Sequence, residues 1–191
     1  MVHDVLRLMD HLGIDRAHVV GYSLGAILGA KLLELAPQRL RSLVMGGAGW
    51  VRSGDSVHRS WIPLADSLAA ITPGTPLSAH FWPDPASRPP QEIQRIVDAN
   101  DPVALVAVAR GMTGVTLCEQ VLRANVVPVL AICGDRDPAK ASVMTMSAVT
   151  NHLTVHLVPG TDHHSLPTRP EFLTAVRTFV ADPTAAMQSA G

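Results

Sequence analysis

Apolar residues recur at helical spacing at the start of the chain, at Val2, Val5, Leu6, Met9 and Leu12, and the run ends at Gly13. Positions three and four apart share one helix face, so the pattern predicts an amphipathic helix closed by that glycine. The short run Ala17-His18-Val19-Val20 predicts a strand. A helix follows from Leu24 to about Ala36, where Pro37 stops it. Leu40 to Met45 reads as a second buried strand running into Gly46-Gly47-Ala48-Gly49, and Val126 to Cys133 as a third. A helix from about Ala139 to Val149 precedes a fourth strand, Leu153 to Val158, ending at Pro159-Gly160. The last helix is predicted over Arg169 to Val180, with Phe172, Val176, Phe179 and Val180 on one face. Strands separated by helices imply an α/β protein: a mostly parallel sheet of about four strands with flanking helices. The ligand site of such a sheet lies at the carboxyl ends of its strands.

The stretch from Trp50 to Asn125 breaks this rhythm. It is too long for a connecting helix, and six prolines fall between positions 73 and 90. Asn100-Asp101-Pro102 starts a helix predicted to run to Arg110, with proline in the first turn and Gly111 beyond. These features divide the chain into a core, 1–49 with 126–191, and a helical lid or cap insertion, 50–125. All three tryptophans, Trp50, Trp61 and Trp82, fall in the insertion, with Phe81 beside the last. Such aromatics form either the insertion's own small core or an apolar wall of a substrate pocket.

Composition narrows the class. With 191 residues the chain can bury a core without disulfides. A formal net charge of −1, with lysine and arginine scattered, gives no surface for nucleic acid. The two cysteines make no disulfide framework: Cys133 lies in an apolar run and Cys118 has no near partner in sequence. A reducing, cytoplasmic location is expected. No apolar stretch is long enough to span a membrane, and the N-terminus lacks a basic region followed by an apolar core.

The chemistry begins at Gly21-Tyr22-Ser23-Leu24-Gly25, between the first strand and the helix after it. Glycines two residues either side permit a sharp turn with serine at its apex, and the helix start aims free N–H groups where an oxyanion would form. That describes a nucleophile elbow, with Ser23 as nucleophile and the Leu24 backbone N–H as oxyanion donor. A serine needs an imidazole base and a carboxylate to hold it. The third strand ends at Gly134-Asp135-Arg136-Asp137-Pro138 and the fourth at Pro159-Gly160-Thr161-Asp162-His163-His164, so each loop supplies one required group. The order Ser, Asp, His fits this fold. No metal or organic cofactor is required, and no Cys/His cluster has metal-site spacing.

The chain thus resembles the α/β-hydrolase family. Similar sequences carry G-x-x-D for the acid, here Gly134 to Asp137, and P-G-x-x-H for the base, here Pro159 to His163. A P-E-x-F segment follows, here Pro170-Glu171 with Phe172 one place early. The resemblance implies Asp137 over Asp135 as acid and His163 over His164 as base, with Asp162 stabilising its loop. Tyr22 either packs in the elbow or lines the pocket. The implied activity is that of a serine hydrolase acting on small carboxylic esters through an acyl-enzyme. The family places further strands, and a loop giving a second oxyanion donor, before the elbow. The chain resembles the family's C-terminal part, a partial α/β-hydrolase fold. Two expectations follow: the elbow strand has an open edge that joins copies into a homo-oligomer, and catalysis is impaired. The alternative is a shortened half-domain that pairs with itself or a partner.

Overall fold

The computed structural model describes residues 1–184; residues 185–191 at the end of the expected core segment lie outside the described residues. Two compact units are present, one formed by Met1–Ser53 with the chain from Thr116 onward, the other by Gly54–Val115.

The first unit is a four-stranded sheet in the order β1 (Ala17–Tyr22), β2 (Leu40–Gly46), β3 (Val129–Gly134) and β4 (Leu153–Val158), every neighbouring pair parallel. Parallel neighbours need a crossover between them, and helices supply it. α1 (Val2–His11) leads into β1, and α2 (Leu24–Leu35) joins β1 to β2. The register sets Leu43 beside Val129 and Val129 beside Leu153, with Val44, Leu130 and Thr154 in the next row. Side chains alternate across a strand, so these two rows face opposite sides of the sheet.

Each face finds its own cover. Ala131 and Cys133 pack with Val143 of α8 (Lys140–Ser147), joined by Leu153, Val155 and Leu157. On the opposite face Val44, Leu130, Ile132 and Val158 bury against Phe172 and Phe179 of α9 (Pro170–Ala181). β2 and β3 are buried almost throughout, whereas β1 is partly exposed, with Val20 at 50% of its free area. The continuous apolar run of β3, and that of β2 from Leu43 to Met45, thus reflect cover on both faces.

The second unit is helical: α3 (Ser56–Ala69), α4 (Leu77–Phe81), α5 (Gln91–Asp98) and α6 (Pro102–Met112). Asp55 caps α3 by accepting the His58 N–H at 2.8 Å, and Asp101 caps α6 by accepting that of Val103 at 2.9 Å. The His58 ring hydrogen-bonds the Thr113 carbonyl at 3.0 Å, which ties α3 to the end of α6. Asp98 accepts both the backbone N–H and the hydroxyl of Ser78, joining α5 to α4. α6 runs through Gly111 to Met112, past the expected stop at Arg110. A short helix, α7 (Glu119–Ala124), leads the chain to β3 in the first unit.

Phe179 is 1% exposed and belongs to the cluster that packs α9 on the sheet. Phe179→Ala should lower the unfolding free energy by about 3–5 kcal/mol, a transfer loss plus a cavity. Urea unfolding followed by circular dichroism measures it; a loss below about 1 kcal/mol would mean that α9 is not a structural member of the core.

Candidate active site

β1 ends at Tyr22, and the chain turns through Ser23 directly into α2. Ser23 has φ 51° and ψ −113°, the one non-glycine residue with positive φ among the described residues. Its N–H donates to the Gly46 carbonyl at 2.8 Å, and its own carbonyl accepts from Ala26 and Ile27 in the first turn of α2. Strand and helix therefore grip the turn from both sides. The turn is so tight that a Cβ on Gly21 would lie 2.3 Å from the Gly25 carbonyl oxygen, so glycine is required there.

The loops after β3 and β4 are laced together. Asp135 N–H donates to the Val158 carbonyl at 3.2 Å, and Arg136 N–H to that of Thr161 at 3.0 Å. This lacing carries Asp137 to His163. Asp137, 4% exposed, accepts the Ala139 N–H on Oδ1 at 2.8 Å and meets His163 Nδ1 through Oδ2 at 3.0 Å. His163 Nε2 lies 3.0 Å from Ser23 Oγ. A carboxylate only accepts, so the imidazole proton belongs on Nδ1, leaving Nε2 to accept from the serine hydroxyl.

The other expected residues fall into place around this line of three. Asp135 is exposed, and its side chain makes no hydrogen bond among the described residues. Asp137 also caps the backbone of this loop through the Ala139 N–H. His164 is exposed, its ring perpendicular to that of His163 with centroids 5.7 Å apart. Asp162 accepts from the backbone of His164 and Ser165 and from the Ser165 hydroxyl, and these bonds, chiefly from Ser165, hold its carboxyl below the usual carboxylate range. Leu24 opens α2, and its N–H lies ahead of the helix's first backbone hydrogen bonds, which Ala26 and Ile27 make to the Ser23 carbonyl.

The aromatics divide between the units. Trp50 belongs to the first: it is buried, its ring N–H donates to the Leu117 carbonyl at 2.7 Å, and the Arg52 guanidinium lies 5.4 Å from its ring centre. Trp61, on α3 of the second unit, has a buried ring N–H with no hydrogen-bond partner among the described residues. Phe81, 39% exposed, meets Trp82 edge-on at 6.0 Å within the same unit. Tyr22, expected to pack in the elbow or line a pocket, sends its hydroxyl to the backbone carbonyl of His163 at 2.5 Å. No described residues form a group of three or more histidine, cysteine or acidic side chains able to hold a metal ion. No described helix is long and apolar enough to cross a membrane.

Residues 1–78 match the family model of the α/β-hydrolase fold. Over 82 residues the chain is 39% identical to a protein of Azorhizobium caulinodans named carbamate hydrolase RutD, a match covering 40% of this chain and 31% of that one. The chain thus spans between 15% and 31% of the length of the curated relatives it matches. Among solved structures, a hydrolase from Pseudomonas aeruginosa PA01 superposes with a TM-score of 0.75 at 26% identity, covering 93% of this chain and 69% of that one. A structure from work on carboxylesterases of the thaumarchaeon Nitrososphaera gargenis superposes at 0.79 with 19% identity, covering 96% and 71%. The chain has the α/β-hydrolase fold.

The two thiols differ sharply. Burial first, and then the Asp137 charge, push the Cys133 thiol up to about 12, while Cys118 is exposed. The thiolate is the reactive form. Iodoacetamide at pH 8 should therefore modify Cys118 alone in the folded protein and both residues after unfolding, as read by mass spectrometry. Equal labelling of both in the native state would contradict the buried position of β3.

Proposed function

We propose that the chain hydrolyses small carboxylic esters through an acyl-enzyme on Ser23. The observation that carries this reading is the position of His163, with Nε2 3.0 Å from Ser23 Oγ and Nδ1 3.0 Å from the buried Asp137 carboxylate. Ser23 Oγ attacks the ester carbonyl as His163 Nε2 takes its proton, and Asp137 holds the imidazole and stabilises its cation. The Leu24 N–H donates to the oxyanion as the tetrahedral centre forms. His163 then gives the proton to the departing alcohol, and a water activated by the same nitrogen releases the acid. A carbamate, the compound class in the RutD relatives' name, offers a similar carbonyl and belongs in the same assay. The free thiols favour a reducing, cytoplasmic setting.

Ser23→Ala should lower p-nitrophenyl acetate turnover by about 10³-fold or more and abolish fluorophosphonate labelling. Asp137→Asn should cost roughly 10²–10⁴-fold and Asp135→Asn less than about twofold. Undiminished turnover in Ser23→Ala would sink the assignment, and a larger loss in Asp135→Asn would transfer the acid role.

A second reading concerns assembly. β1 is an outer strand of the described sheet, Val20 is half exposed, and Ala17–Tyr22 holds neither lysine nor proline. Strand edges of this kind are templates for pairing, and a two-fold axis lets the same edge serve both partners. We infer a homodimer joined along β1. Light scattering should give twice the chain mass, and Val20→Lys should shift the protein towards monomer. A monomer at all concentrations for the unsubstituted chain would remove this reading while leaving the ester assay untouched.

A further inference from the structure

Tyr22 stands immediately before the nucleophile, yet its side chain reaches a residue 141 positions away, donating its hydroxyl to the His163 backbone carbonyl at 2.5 Å. Its ring lies beside the imidazole, centroids 5.5 Å apart and planes tilted by 43°, and meets Phe172 edge-on at 5.7 Å. The space for this crossing is made by the end of β2. A Cβ on Gly46 would lie 2.6 Å from the Tyr22 ring, and one on Gly47 would lie 2.9 Å from it and 3.1 Å from His163 Cε1. Two successive residues without side chains thus leave room for the phenol to pass beside the imidazole.

We propose that Tyr22 is a positioning residue: its hydroxyl straps the His163 backbone to the strand that carries Ser23, so that nucleophile and base move as one piece. Burial, reinforced by the nearby Asp137, Cys133 and Asp162, holds the phenol well above the ordinary tyrosine range, so the donor proton is kept throughout the working pH. The His163 loop has other anchors, through Arg136 and Thr161 and through the Asp162 turn, but those fix the chain before and after His163. The peptide group between His163 and His164 is held at its N–H end by Asp162 within the same loop, and at its carbonyl end by Tyr22, the bond that ties it to β1. A rotation of that group would swing Nε2 away from Ser23 Oγ without breaking the sheet. Small misplacements of this sort reduce the chemical step more than substrate binding.

The proposal rests on the ester hydrolase reading, and Tyr22→Phe tests it by keeping the ring and removing only the hydroxyl. With p-nitrophenyl acetate, kcat should fall about tenfold while KM stays within about twofold, the scale of one lost hydrogen bond. Proton NMR supplies a readout that needs no turnover. The low-field His163 Nδ1–H signal, identified by its loss in Asp137→Asn, should be present in the unsubstituted protein and broadened or absent in Tyr22→Phe. Phe172→Leu separates strap from packing, because it removes the edge-on ring but leaves the hydroxyl bond; it should lower the melting temperature while retaining kcat within about threefold and the NMR signal. An unchanged kcat and signal in Tyr22→Phe would overturn the strap. A rise in KM at constant kcat would overturn it too, making Tyr22 a pocket-lining residue, and so would an equal kcat loss in Phe172→Leu. Should the chain turn over no ester at all, the hydrolase reading fails, and the NMR comparison still decides whether Tyr22 orders His163.

Discussion

The strained turn at Ser23 is the constraint around which the site is built. A φ of 51° with ψ −113° is a conformation that L-residues avoid, and holding one costs about 1–3 kcal/mol. It persists because the surroundings leave no alternative. Ser23 is bonded to β2 through the Gly46 carbonyl and to α2 through its own carbonyl, while Gly21 and Gly25 are packed backbone to backbone. Relaxing the turn would break the β1–β2 register or unwind the first turn of α2. The sheet therefore holds the strain, and the hydroxyl is displayed at the carboxyl edge as a result.

That edge is also where the other two groups must arrive. All four strands run the same way, so the loops after β1, β3 and β4 open side by side. Asp137 is buried, and a buried carboxylate is tolerated only when its oxygens are satisfied. One oxygen takes the Ala139 N–H and the other the imidazole. The same contacts that remove the penalty orient the ring, so stability and geometry are set by one arrangement. Every member of the line comes from the first unit, and Gly54–Val115 contributes none of them.

Much of this was legible in the sequence because it rests on residue types at fixed spacing. β4 spans the same residues that the alternation marks, Leu153 to Val158, and the glycine pair around Ser23 marks the turn. β3 starts later than the apolar run suggests, at Val129 and not Val126. The cause is local: the Asn125 side chain bonds both the N–H and the carbonyl of Val127, so that residue's backbone is satisfied before the ladder begins. α3 was hidden for a different reason. Pro63 sits within it, and an interior proline lacks the donor that a helix needs. Asp55 at its start and the buried Ala65 and Leu68 are its faint marks in the sequence.

Between Asp135 and Asp137 the spacing from Gly134 was a guide, but the physical distinction is one of depth. Asp135 points to solvent, whereas Asp137 turns inward where the backbone N–H of Ala139 and the imidazole await it. The contact between Tyr22 and His163 is of a kind that sequence patterns do not register. Its acceptor is a backbone carbonyl, which every residue possesses, and its partners stand 141 positions apart. A motif records which side chains are required at a place; it carries no trace of a peptide group that must be held still. The only written sign is negative, the absence of side chains at Gly46 and Gly47, and it becomes readable once the phenol is seen filling the room they leave.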